Sequence, residues 1–91
     1  MLYPFLSDGR FDIGFSEIKQ IDGINQIRIF AEEPREGHFD FKMLEFYLPS
    51  KKITLKTGYS DAEVKKIIEL VSISEDSLFR MARYYQNREA E

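Results

Sequence analysis

Residues 27–49 read IRIFAEEPREGHFDFKMLEFYLP, the most hydrophobic and most strictly patterned stretch of the chain and the home of its only histidine. Ile27, Ile29 and Ala31 alternate with Arg28 and Phe30, the period of two of a half-buried strand. Glu32-Glu33-Pro34-Arg35-Glu36-Gly37 then supplies turn chemistry: Pro34 presets φ for a first turn position and Gly37 tolerates positive φ. The chain reverses into a third strand in which Phe39, Phe41 and Met43 share a face opposite His38, Asp40 and Lys42. The alternation then slips and continues as Leu44, Phe46 and Leu48. Such a slip calls for a β-bulge at Met43–Leu44 or apolar groups on both faces, and the bulge is the expectation.

Working outward, Phe11, Ile13 and Phe15 alternate with Asp12, Gly14 and Ser16, so a strand is expected over 10–19, after a lead-in that contains Pro4. Asp22-Gly23 between apolar flanks marks a tight hairpin into a strand at 26–32. The third strand spans 38–48. A fourth, at 52–57, carries lysines suited to a sheet edge. The period then changes. Ser60-Asp61-Ala62-Glu63 is a capping box opening a helix at 61–72, with Val64, Ile67, Ile68 and Val71 as its apolar stripe. Ser74-Glu75-Asp76 starts a second helix at 75–87, striped by Leu78, Met81, Ala82 and Tyr85.

The expected fold is therefore α+β: a four-stranded antiparallel β-meander followed by two C-terminal helices packed on one sheet face. With 91 residues, 43% of them hydrophobic, the chain supports one core and one domain, 1–91. The other sheet face stays open. Asp12, Ser16, Arg28 and Lys42 make much of it polar, while Phe30 stands among them and Phe46 joins according to the slip.

The absence of cysteine excludes disulfides, thiolate nucleophiles and cysteine-bound zinc. The N-terminal MLYPFLSDGR lacks a basic region and its apolar run is cut by Pro4, so no secretory signal, no membrane partner and a cytoplasmic setting are expected. A net charge of -3 disfavours non-specific nucleic-acid binding, although residues 42–66 taken alone are net positive.

No motif in the chain specifies a reaction. His38 and Asp40 point the same way along a strand, so an imidazole oriented by a carboxylate is available as a general base. With Glu33 or Glu36 the same pair offers ligands to a divalent metal, although no metal or other cofactor is assigned. Arg80 and Arg83, one helical turn apart beside Tyr84, offer RNA contacts together with Arg35. A serine nucleophile and a phosphate-cradling glycine loop are both missing.

Pro34-Arg35-Glu36-Gly37-His38-Phe39-Asp40, followed by two helices with a capped break, resembles small bacterial proteins of unknown function that carry a Pro-Pro-His-x-His element. Asp40 stands where the second histidine of that element falls, so only His38 and Pro34 match it. Some of those proteins sit beside predicted antitoxins, which implies a role in a toxin–antitoxin pair. The leading expectation is a bacterial, non-enzymatic interaction module that binds a partner protein or itself through the open sheet face, at Phe30 and Phe46. The alternative is a toxin-like ribonuclease or RNA-binding protein using His38, Arg35, Arg80 and Arg83.

Overall fold

A computed structural model of the chain describes residues 2–35, 37 and 40–89. The strands are β1 (Tyr3–Ser7), β2 (Asp12–Phe15), β3 (Lys19–Ile21), β4 (Ile24–Pro34), β5 (Phe41–Leu48) and β6 (Ile53–Thr57), followed by α1 (Asp61–Ser72) and α2 (Glu75–Glu89). All strand pairs are antiparallel, in the order β1-β2-β4-β5-β6, with β3 pairing β4 beside β2. The α+β meander is as expected, but among the described residues it has six strands, not four.

The two extra strands have local causes. The lead-in is itself a strand, β1. Pro4 does not prevent this because β1 lies at the edge of the sheet, where a missing backbone N–H costs no ladder bond. The strand expected at 10–19 is two strands because residues 16–18 leave the ladder. Buried Ser16 bridges the gap: its N–H donates to Arg28 O at 2.9 Å, its hydroxyl accepts from Arg28 N–H at 2.9 Å and donates to Glu17 O at 2.8 Å. A side chain thus replaces a strand backbone partner. The hairpin between β3 and β4 matches its sequence signal, with Asp22 and Gly23 at φ 54° and 78° between the paired Ile21 and Ile24.

The expected bulge at Met43–Leu44 is absent. β4 and β5 pair without interruption from Ile27↔Leu48 to Pro34↔Phe41, so the apolar residues of β5 simply occupy both faces. Leu44, Phe46 and Leu48 point into the core; Phe41, Met43 and Tyr47 point the other way. The sheet's irregularity lies instead on β6, where Glu45↔Leu55 is followed by Phe46↔Ile53 and Thr54 is the extra residue. Two further assignments to the open face change as well. Lys42 projects toward the helices, pairing with Glu63 at 3.2 Å and lying over the Tyr59 ring, and Ser16 is buried.

The helices cover one face. Ser60 accepts from Glu63 N–H and Glu63 accepts from Ser60 N–H, closing the capping box. Val64, Ile67 and Val71 of α1 and Leu78 and Ala82 of α2 are buried with Ile13, Phe15, Ile29, Leu44 and Phe46. Tyr85 stacks on Tyr3 with centroids 4.4 Å apart and planes 12° from parallel, beside Phe15. Gln86 then holds the broken strand to α2: its Oε1 accepts from Ile18 N–H at 3.1 Å and its Nε2 donates to Ile18 O at 3.5 Å. Among the described residues no helix is long and apolar enough to cross a membrane.

The two faces make opposite stability demands on two phenylalanines. Phe46→Ala should cost about 3–5 kcal/mol by opening a cavity in the core, whereas Phe30→Ala on the open face should cost about 1 kcal/mol or less, as read from urea unfolding midpoints.

Candidate interaction surface

The β4–β5 register decides which side chains meet on the uncovered face. One cross-strand row runs Asp12, Glu32, Met43, Thr57; the next runs Gly14, Phe30, Glu45, Leu55; the third holds Arg28 and Tyr47. Apolar Phe30, Met43, Tyr47 and Leu55 thus gather on neighbouring strands with no helix above them. Their centre is tied together by Arg28, which pairs with Glu45 at 3.2 Å, while the Thr54 hydroxyl donates to Glu45 Oε1 at 2.7 Å. The bulged Thr54 owes this contact to the extra residue on β6.

The expected binding residues separate. Phe30 is half-buried on this surface. Phe46 is not available to a partner: it is 0% exposed and belongs to the core, because the β4–β5 register sets it opposite Ile29, on the face of Leu44 and Leu48. Arg35 sits at the mouth of the β4–β5 loop, where its guanidinium pairs with Asp40 at 3.0 Å and its N–H donates to Asp40 O at 3.1 Å. Asp40 is thereby engaged by Arg35. His38 lies outside the described residues. Arg80 and Arg83 are exposed on α2, and among the described residues neither makes an ion pair nor is joined by a contact to Arg35. Tyr84, 57% exposed, lies at the edge of Tyr85, and the arginine over its ring is Arg88, which also donates to its hydroxyl at 3.3 Å. Among the described residues no three His, Cys, Asp or Glu side chains gather as metal ligands would.

Of the hollows that adjoin the sheet among the described residues, alternation alone points to none, and these include the following. A dish of about 320 Å³ beside β1 is lined by Leu2, Leu6 and Phe30 together with Asp12 and Glu32. Asp12 and Glu32 are direct cross-strand partners, and among the described residues no cation pairs with either; only the Ser7 hydroxyl donates to Asp12, at 2.5 Å. A hollow of about 210 Å³ at the hairpin end holds Gln26, Tyr47 and Lys52; Gln26 is buried, its Nε2 donating to Ile21 O while its Oε1 has no partner among the described residues. A groove of about 240 Å³ on the helix side runs between Phe11, Tyr59, Ile67 and Leu70, with Glu33 and Glu63 beside it.

Tyr59 is the electrostatic outlier of that groove. Its hydroxyl is buried without a hydrogen bond among the described residues, and burial first, then the Glu33 carboxylate, hold it protonated well above its ordinary range. Glu33 lies within electrostatic reach of this hydroxyl but outside hydrogen-bonding geometry. Glu63 shifts the other way: the Ser60 N–H first and the Lys42 ammonium second hold its carboxyl below the usual range.

Directly opposed like charges destabilise a sheet. Glu32→Gln is therefore expected to raise stability by about 0.2–1 kcal/mol at neutral pH, and the gain should shrink at high salt, as chemical denaturation would show. For Tyr59 the sign follows from linkage. A phenol whose folded-state value is raised contributes stability in full below about pH 10, which is lost as the unfolded-state phenol ionises above it. Tyr59→Phe should consequently unfold at a higher alkaline pH than the parent with no loss of stability at pH 7, a comparison that far-UV dichroism between about pH 9 and 12 can make.

Compared with protein-family models, with curated proteins and with solved structures, the chain matches none.

Proposed function

We propose that the chain is a small protein-interaction module that binds a partner protein, or a second copy of itself, through the uncovered face of its sheet. One observation carries this reading: Phe30, Met43, Tyr47 and Leu55 stand together on adjacent strands, on the side that neither helix covers. Large apolar side chains gathered on one surface lose free energy to water and recover it when a partner excludes that water. The Arg28–Glu45 pair in their midst gives such a contact direction, since a partner must accommodate a fixed dipole there. The bacterial cytoplasmic setting read from the sequence belongs to the same proposal.

The ribonuclease or RNA-binding alternative has no comparable observation behind it. Arg35 is engaged by Asp40, Arg80 and Arg83 stand on the outer side of α2, and the open face carries more carboxylates than cations. Phosphate recognition needs the reverse balance.

Phe30→Asp tests the reading, because it places a charge at the centre of the surface while leaving the core untouched. Light scattering over a concentration series, with affinity capture alongside, should show an associated species or a retained partner for the parent that the variant loses with its circular dichroism unchanged. A parent that stays monomeric at every concentration and retains the same proteins as the variant overturns the proposal.

A further inference from the structure

The dish beside β1 differs from the rest of the open face in its charge. Arg28 is consumed by Glu45, so the carboxylates left facing outward are Asp12 and Glu32, directly opposed across β2 and β4. Such a pair works against the folded sheet, and among the described residues no cation of the chain relieves it. Beside it the floor is apolar. Leu2 lies over Gly14, where a Cβ would meet Tyr3 O at 3.2 Å and Leu2 Cβ at 3.3 Å, and Leu6 and Phe30 complete the surface.

An apolar floor beside two carboxylates that no cation among the described residues pairs with has the charge of a receptor for a long cationic side chain. Lysine and arginine bury their methylenes against apolar surface while keeping the charged head at a polar rim. A guanidinium between two carboxylates gains charge-assisted hydrogen bonds and removes their mutual repulsion. We propose that this dish binds an arginine or lysine of a basic segment in a partner protein, with the stem on Leu2, Leu6 and Phe30 and the head between Asp12 and Glu32. The inference rests on the open face being an interaction surface and adds the chemistry of what it selects. Nucleic acid is disfavoured at the same place, since its phosphates would face these carboxylates.

The test uses three capped pentapeptides, Leu-Arg-Leu-Arg-Leu and its Glu and Gln counterparts, titrated into the isotopically labelled full chain and followed by amide chemical shifts. The Arg peptide should move Gly14, Phe30 and Glu32 and bind more weakly as salt rises from about 50 to about 500 mM, while the Glu peptide should leave them in place. The double substitution Asp12→Asn with Glu32→Gln should weaken the Arg peptide by about tenfold or more without lowering the thermal midpoint, which separates lost recognition from lost folding. Equal binding of all three peptides would overturn the charge selection while leaving the open face as an interaction surface. If no peptide moves these amides and light scattering shows the double variant altering only self-association, the occupant is a second copy and the proposal of a basic partner segment fails. If no peptide binds and self-association is unchanged, the dish is not a receptor at all, and the test of Phe30→Asp alone then decides the wider reading.

Discussion

The unbroken pairing of β4 with β5, from Ile27↔Leu48 to Pro34↔Phe41, is the constraint on which the molecule depends. Side chains in a strand alternate with a period of two, so this one register assigns every residue of both strands to a face at once. Ile27, Ile29 and Ala31 go inward with Leu44, Phe46 and Leu48, and the helices have a continuous apolar floor to cover. Phe30, Met43 and Tyr47 go outward by the same assignment. A slip of β5 by one residue would turn Glu45 into the core, away from Arg28, and expose Phe46. The open apolar face is thus the other side of the pattern that builds the core.

Helix placement follows from a second, smaller device. Where β2 stops at Phe15, the Ser16 hydroxyl keeps Arg28 N–H satisfied, and the backbone of Ile18, no longer held by a ladder, turns to Gln86. The interruption of a strand therefore supplies the anchor for the far end of α2, next to the Tyr3–Tyr85 stack. At the other end Lys42 and Lys56 reach from β5 and β6 to Glu63 and Asp61 in the first turn of α1, where carboxylates also favour the helix dipole. The helices are positioned at both ends by polar contacts and held between them by burial.

How much of this was legible in the sequence depended on the range of the interaction responsible. The helices and the Asp22–Gly23 hairpin were readable because capping boxes, apolar stripes and positive-φ turns are local. β1 is not legible because Pro4 looks like a breaker until the strand is known to be an edge. The split between β2 and β3 rests on a serine hydroxyl bonding to a strand twelve residues away, which no periodicity records. The face of Phe46 is not legible either, because β5 is apolar on both faces and alternation alone cannot tell a bulge from a two-sided strand. Phe30 was readable from parity within its own strand. Met43, Tyr47, Leu55 and the Asp12–Glu32 pair were not, since each belongs to the surface only through cross-strand registers.

The sheet's edges narrow the manner in which this protein can meet another. Exposed edge strands invite pairing with a foreign strand. Here β1 carries Pro4 and a register shift between Pro4 and Leu6, β6 carries the extra Thr54 together with Lys56, and β3 is three residues long. Each of these features discourages continuation of the ladder. The face between the edges has no such protection: no helix covers Phe30, and beside it lies a carboxylate pair that no cation among the described residues offsets. Association by strand addition is thus discouraged at these edges, while the side chains of the face stay open. A partner of the kind proposed would therefore meet side chains, not backbone, and the Asp12–Glu32 pair, which no cation among the described residues offsets, would favour basic ones.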